Sequence, residues 1–310
     1  MVGLITERPD GPKGETMTIR TTSHGLGTAR TSPKPLAPSD RSIATAADRC
    51  TPYRFGDVSS PTGGQTRRLL GVWAHPDDEA YLSAGLMART VAAGGDVTVV
   101  ALSDGEAGFG SDDPRPVAER AQLRRNELRA AMRSIGVTDV RFAGLPDGEL
   151  NRHSDQIVEI TSHLLADLEP DVTVTFGPDG MTGHPDHVAN SWAVTRAWSE
   201  TGIGELWYAA KSPAWLDRWR TMHDDFGIWM DGEPRGVDAT DAVFMIDAAG
   251  AELDAKRRVL AKHASQTTPL ASALGEATYR DWISEEIFRR PSRSELHTVN
   301  GHPSMIGSVA

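Results

Sequence analysis

The chain contains a single cysteine, Cys50, and aromatic residues make up only 6% of its 310 positions. One cysteine excludes an intrachain disulfide and any multi-cysteine zinc site, so a reducing, cytoplasmic setting is the expectation. Cys50 lies in a polar loop context, Arg49-Cys50-Thr51-Pro52, and reads as incidental. No apolar run approaches the length of a membrane span, and the N-terminal residues carry no hydrophobic h-region. Positive charge is also short. With 32 Lys and Arg against 43 acids the net charge is −11, which argues against a general binder of the nucleic-acid backbone. No segment repeats. What is present is a chain 39% hydrophobic, long enough to bury a substantial core as one domain rather than two small ones.

Residues 1–66 are rich in Pro, Gly, Ser, Thr and Arg with hardly a periodic apolar stretch, and read as a flexible, mostly disordered extension. From Arg67 strands and helices alternate. Leu69 to Ala74 is an apolar strand, Glu79 to Ala93 a helix stopped by Gly94-Gly95, and Asp96 to Leu102 a second strand. Helices over 117–135 and 157–168 flank a short strand at 140–143, and a fourth strand covers 171–176 before a helix reaching about Thr201. Four rounds of strand then helix predict a Rossmann-like, doubly wound, mostly parallel α/β sheet with helices on both faces, in one domain over 67–290. A strand near 242–246, a helix over 248–263 and a frayed tail over 291–310 complete the expectation. The triplet Lys256-Arg257-Arg258 reads as a solvated helix face. Trp215 and Trp219 sit in an amphipathic patch and read as core.

Two clusters carry the chemistry. The first strand ends in Ala74-His75-Pro76-Asp77-Asp78-Glu79, and the fourth opens into a glycine-bearing loop and then His184-Pro185-Asp186-His187. Either alone could be a solvated turn, since Pro-Asp-Asp is ordinary loop chemistry. Together they follow parallel strands, so both emerge on one edge of the sheet, where open α/β folds place their sites. His184 and His187, three apart at the mouth of a helix, share a face. Two histidines and a carboxylate with a position left for water suit a hydrolytic zinc site, and equally Fe(II). The loop 103–110 reads as a lip over the site or as a plain connector. Its glycines do not have the spacing of a dinucleotide fingerprint.

This pair of motifs resembles the LmbE-like (PIG-L) family of metal-dependent de-N-acetylases, which remove acetyl from N-acetylglucosamine conjugates. Further matches are Arg124-Arg125-Asn126-Glu127-Leu128, Leu145-Pro146-Asp147-Gly148 and Lys262-His263-Ala264-Ser265-Gln266, so the likeness spans about 67–290. The resemblance implies His75, Asp78 and His187 as ligands of Zn2+, with Fe2+ the alternative. It implies Asp77 as general base, His184 steadying the oxyanion, and Asp186 orienting His184 through a hydrogen bond, with His184 expected to act in its protonated form. Arg124 and Asp147 match positions that hold the sugar. From their own context Arg124 is also a helix cation paired with a neighbouring Glu, and Asp147 a turn residue. His263 reads as a buried histidine fixing the C-terminal segment. Glu79 reads as a helix N-terminal acid or as a partner behind the ligands.

The function expected is removal of the N-acetyl group from a small-molecule aminosugar conjugate. The alternatives are an amidase cleaving a mycothiol S-conjugate or another glucosamine amide, and a non-catalytic Rossmann-like binding protein. The loops over 105–115 and 210–240 are expected to set the substrate. A homo-oligomer has no support in the sequence.

Overall fold

Leu69, Leu70, Val72 and Trp73 lie on strand β2 (Arg68–Trp73), which is buried from its second residue onward. A strand with no solvated face needs cover on both sides, and alternation with helices supplies it. The computed structural model describes residues 67–301 and a two-residue strand, β1 (Ile5–Thr6). The expectations for the rest of the N-terminal extension, for Cys50 and for residues 302–310 fall outside the described residues.

After β2 come α1 (Asp78–Ala92), β3 (Asp96–Ser103), α2 (Val117–Arg133), β4 (Asp139–Leu145), a 3-10 turn (Leu150–His153), α3 (Ser154–Leu168), β5 (Val172–Phe176), α4 (Pro185–Thr201) and β6 (Glu205–Ala210). These strands lie parallel in the order β4-β3-β2-β5-β6, the doubly wound α/β sheet that the alternation implied. The order turns back at β2 and β5, which pair directly through Leu69 with Val172 and Gly71 with Val174. Chain leaving the carboxyl ends of those two strands goes opposite ways, so a crevice opens there. Both sequence clusters issue into it.

The remainder is α5 (Pro213–Phe226), β7 (Phe244–Asp247), α6 (Gly250–Lys262), α7 (Ala264–Leu274), α8 (Glu276–Trp282), β8 (Glu285–Arg289) and α9 (Arg293–Gly301). Here the pairing is antiparallel, β8 against β6 and β7 against β8, while β1 lies antiparallel to β4 at the far edge. The Trp-rich patch is α5, whose Trp215, Trp219 and His223 recur every four residues and form its buried face.

Two expectations are corrected. Lys256 is not on a solvated face: it is buried, with Nζ 2.8 Å from both Tyr81 O and Glu286 Oε1. The Glu286 carboxylate also accepts from the N–H groups of Gly85 and Leu86 inside α1. Helical periodicity could not reveal this, because the compensating acid comes from a strand formed later in the chain. The tail expected to fray from 291 is instead helical over Arg293–Gly301 and packs on α4 with Val299 buried. Ser292 and Glu295 close its first turn reciprocally, at 2.7 and 3.3 Å, as a capping box.

Candidate active site

The turn after β2 is strained where the chemistry gathers. Asp77 has φ 132°, a conformation that residues with a Cβ rarely adopt. Its N–H donates to Glu79 Oε2 at 2.9 Å, and its carbonyl accepts from Ala80 and Tyr81 N–H at 3.0 and 3.1 Å. Glu79 is itself held by His263 Nε2 at 2.7 Å, both side chains fully buried. Glu79 is therefore both an N-terminal acid of α1 and a partner behind the site. His263 is buried as expected, and it reaches the first motif from the junction of α6 and α7. This turn sends the adjacent carboxylates apart. Asp78 folds back to accept His75 N–H at 2.8 Å, and Asp77 faces Arg124 Nη2 at 3.2 Å.

The second cluster is organised by the start of α4. His184 is the N-cap, its Nδ1 accepting Asp186 N–H at 3.1 Å, and Pro185 occupies the first turn. An Nδ1 that accepts carries no proton, so neutral His184 presents Nε2–H. Burial, with the charge of His75 next, lowers its pKa. In the cation-free state this geometry favours a neutral His184 over the protonated form expected. His187 is buried and stacked on Phe176 with ring centroids 4.2 Å apart. Its Nδ1–H donates to Gly180 O at 2.9 Å, which turns the Nε2 lone pair toward the first cluster.

The two clusters meet. His75 Nδ1 lies 3.1 Å from His187 Nε2 and 3.6 Å from Asp78 Oδ2, and His187 Nε2 lies 3.4 Å from Asp78 Oδ1. Bonds of about 2.0–2.2 Å in tetrahedral zinc sites imply donor separations of roughly 3.3–3.5 Å. The triangle thus has the size and donor types that a small divalent cation needs, and the cation would displace the proton that His75 Nδ1 shares with His187 Nε2. His184 completes a histidine group with nitrogens within 4.8 Å of one another, a second donor set beside the first. Burial and then the charge of His75 hold His187 well below its ordinary pKa, so its Nε2 stays unprotonated.

His75 is oriented from its other nitrogen. Nε2 meets Asp147 Oδ1 at 3.0 Å and Asp186 Oδ2 at 3.3 Å, the carboxylate–histidine arrangement that fixes a ligand's tautomer. Burial opposes its charge, yet these two hydrogen bonds raise its pKa to about 10 when no cation is bound. Asp186 also accepts from Gly148 and Leu150 N–H at 2.7 and 3.0 Å. Its carboxylate therefore steadies His75. The expected side-chain bond to His184 is replaced by the backbone N–H of Asp186, because at the second helical position the carboxylate points away from the cap.

Arg124 is buried, donating to Gly105 O at 2.8 Å and to Pro76 O. It is not the exposed helix cation of one reading: it bolts the Asp77 turn to the 103–110 loop, while its Nε has no hydrogen-bond partner among the described residues. A Cβ on Gly105 would come within 2.1 Å of its Nη1, and Gly105 has φ +67°, so that loop is shaped around the guanidinium. Asp147 spends its other oxygen on Ala107 N–H at 2.8 Å. Both residues line the cavity, but their polar atoms act first on neighbouring protein groups. Burial pushes Asp77 and Asp78 up to about 6, against the pull of Arg124 on the first and of His75 on the second. Asp147, despite burial, is drawn down to about 2 by its bond to His75.

The cluster opens into a cavity of about 660 Å3. Its wall includes residues that the motifs did not single out, among them Tyr81, Lys211, Trp229 and Trp282. Glu106, which accepts Asp147 N–H at 3.1 Å, was missed as well; nothing in its acidic loop distinguishes it.

The family model described as PIG-L: GlcNAc-PI de-N-acetylase matches residues 70–198. A 1D-myo-inositol 2-acetamido-2-deoxy-alpha-D-glucopyranoside deacetylase of Rhodococcus opacus (strain B4) is 33% identical over 254 residues, covering 69% of this chain and 87% of the relative. A protein of the same description from Rhodococcus jostii (strain RHA1) is 32% identical over 272 residues, covering 75% and 91%. Among solved structures, the conserved protein TT1542 from Thermus thermophilus aligns with a TM-score of 0.52 at 22% identity, over 72% of this chain and 94% of that one. The deacetylase of a deacetylase–teicoplanin complex also gives 0.52, at 16% identity, over 72% and 97%. These two likenesses speak for the fold.

Proposed function

Because the chain belongs to the PIG-L family of GlcNAc-PI de-N-acetylases, we propose that it is a metal-dependent hydrolase removing the acetyl group from the amine of an N-acetylglucosamine-type conjugate. The observation that carries this reading is the convergence of His75 Nδ1, Asp78 and His187 Nε2 to within 3.1–3.6 Å, with Asp77 beside them on the cavity wall. These three would hold the cation. Zinc fits the nitrogen–oxygen donor set, and Fe(II) fits it too. When bound, the cation supplies Lewis acidity, acidifying water and polarising the acetyl carbonyl.

The protein groups do the rest. Asp77 takes the proton of the attacking water, and the strained turn and Arg124 keep its carboxylate aimed into the cavity. His184 donates Nε2–H to the acetyl oxygen as negative charge grows there. The departing amine needs a proton. A neutral His184 that surrendered its only N–H would become imidazolate, so Asp77 returns the proton it accepted. Asp147 and Asp186 hold His75, and Glu79 with His263 holds the Asp77 turn.

The test is metal analysis joined to an acetate- and amine-release assay over a panel of N-acetylglucosaminides. Stoichiometric metal with release from at least one conjugate supports the reading. A metal-loaded enzyme that frees acetate from none of them refutes de-N-acetylation and leaves the amidase alternative.

A further inference from the structure

Resting on that reading, the part of the cavity away from the ligand triangle holds a cation that deacetylation does not use. Lys211 follows β6 as His75 follows β2, so both leave the same edge of the sheet two strands apart, on the order of 10 Å. Its side chain is buried but forms part of the cavity wall. The ammonium donates to Glu285 O, and Nζ lies 4.6 Å from the centre of the Trp215 ring. Among the described residues it has no other hydrogen-bond acceptor, and no carboxylate pairs with it. Nearby acids are committed elsewhere. Glu285 accepts Ser212 N–H at 2.8 Å and Oγ–H at 2.6 Å, and Glu286 pairs with Lys256.

A buried cation without a partner is costly. Burial, with Lys256 next, pulls the Lys211 ammonium down to about 7, in keeping with that cost. Beside it the wall is apolar: Nζ faces the Trp215 ring, and Trp282 stacks on Trp215 with ring centroids 6.2 Å apart. An ammonium with no carboxylate beside it in an apolar arm leaves the counter-charge to be supplied by the ligand.

We propose that this arm receives the aglycone of the aminosugar conjugate, and that the aglycone is an apolar group bearing an anionic oxygen, carboxylate or phosphate, bound by Lys211. The probes are phenyl, para-carboxyphenyl and para-phosphoryloxyphenyl N-acetylglucosaminides, assayed with the metal-loaded enzyme. Expected is a preference of at least about tenfold in kcat/KM for one acidic probe over phenyl, carried by KM, with the preferred acid naming the source. In Lys211→Met that ratio falls to within about twofold of unity. Equal use of all three probes by the wild type overturns the proposal, whether or not the variant folds. So does an acid preference that survives Lys211→Met. Calorimetric binding of the same probes to metal-free protein separates the two readings. If no probe is hydrolysed, the deacetylase assignment fails, while selective binding of an acidic probe still upholds Lys211 and its absence removes it.

Discussion

Replacing Arg124 by Met removes the cation 3.2 Å from Asp77 Oδ2 and nothing else that titrates. At an effective dielectric constant of about 20, two unit charges so placed attract by about 5 kcal/mol. An opposite charge at this range shifts a carboxyl by about 1–3 pKa units. Asp77 already sits at about 6 because burial outweighs Arg124. Without the arginine it should reach about 7.5, and the ionised fraction at neutral pH should fall from about nine-tenths to about a quarter. The acid limb of the kcat/KM profile therefore moves upward by about 1–2 units, and much of the lost rate returns in alkaline buffer. A bound cation lowers both profiles together and leaves their separation. Arg124→Lys, which keeps the charge but not the fork to Pro76 and Gly105, should restore the position of the limb more than its height. An acid limb in Arg124→Met that coincides with wild type would falsify the assignment of Asp77 as the base that Arg124 tunes.

Asp77→Asn should keep its metal while kcat falls by on the order of a hundredfold or more, whereas His187→Ala should lose the metal; elemental analysis with turnover separates the two. Because the cation-free His75 is protonated up to about 10, metal binding at neutral pH should expel about one proton. Calorimetry in buffers of different ionisation enthalpy reads that release, and none would mean that His75 is not a ligand. The same group makes metal-free stability depend on pH. Its folded pKa is raised from 6.5 to about 10, so its contribution is complete below 6.5 and is lost as pH rises through 10. Denaturation midpoints of the metal-free protein should decline across that window, and a flat profile refutes the contacts with Asp147 and Asp186. Lys256→Met strands Glu286 in the core and should cost about 3–5 kcal/mol, with the Lys256→Met/Glu286→Leu double variant recovering most of it in urea melts.

Much of the fold could be read in advance because the deciding signals are local. The run Leu69–Ala74 gives way to His75-Pro76, Gly94-Gly95 stops α1, and apolar periods mark α2 and α3. The antiparallel β8 and the helices α7 and α8 carry weaker patterns than the strand expected near 242–246, and gain definition only from packing against β6, β7 and α6. The apolar content after Pro291 is too low to announce α9, which gains definition from its contact to α4. Lys256 failed for the opposite reason. Its local pattern was clear, and a distant carboxylate overruled it.

For the site, the chain itself determined which residues meet: His75, Asp77 and Asp78 after one parallel strand, and His184, Asp186 and His187 after another, must share the carboxyl edge of the sheet. Tertiary structure decided what each does. The 132° turn at Asp77 parts two neighbouring carboxylates, Arg124 serves the backbone before any substrate, and Asp147 and Asp186 both brace His75. The neutral Nε2–H form of His184 likewise follows from one backbone N–H. Motif spacing encodes proximity because strand and helix geometry are regular. Roles depend on which lone pair faces which donor, and that is set by contacts between segments far apart in the chain.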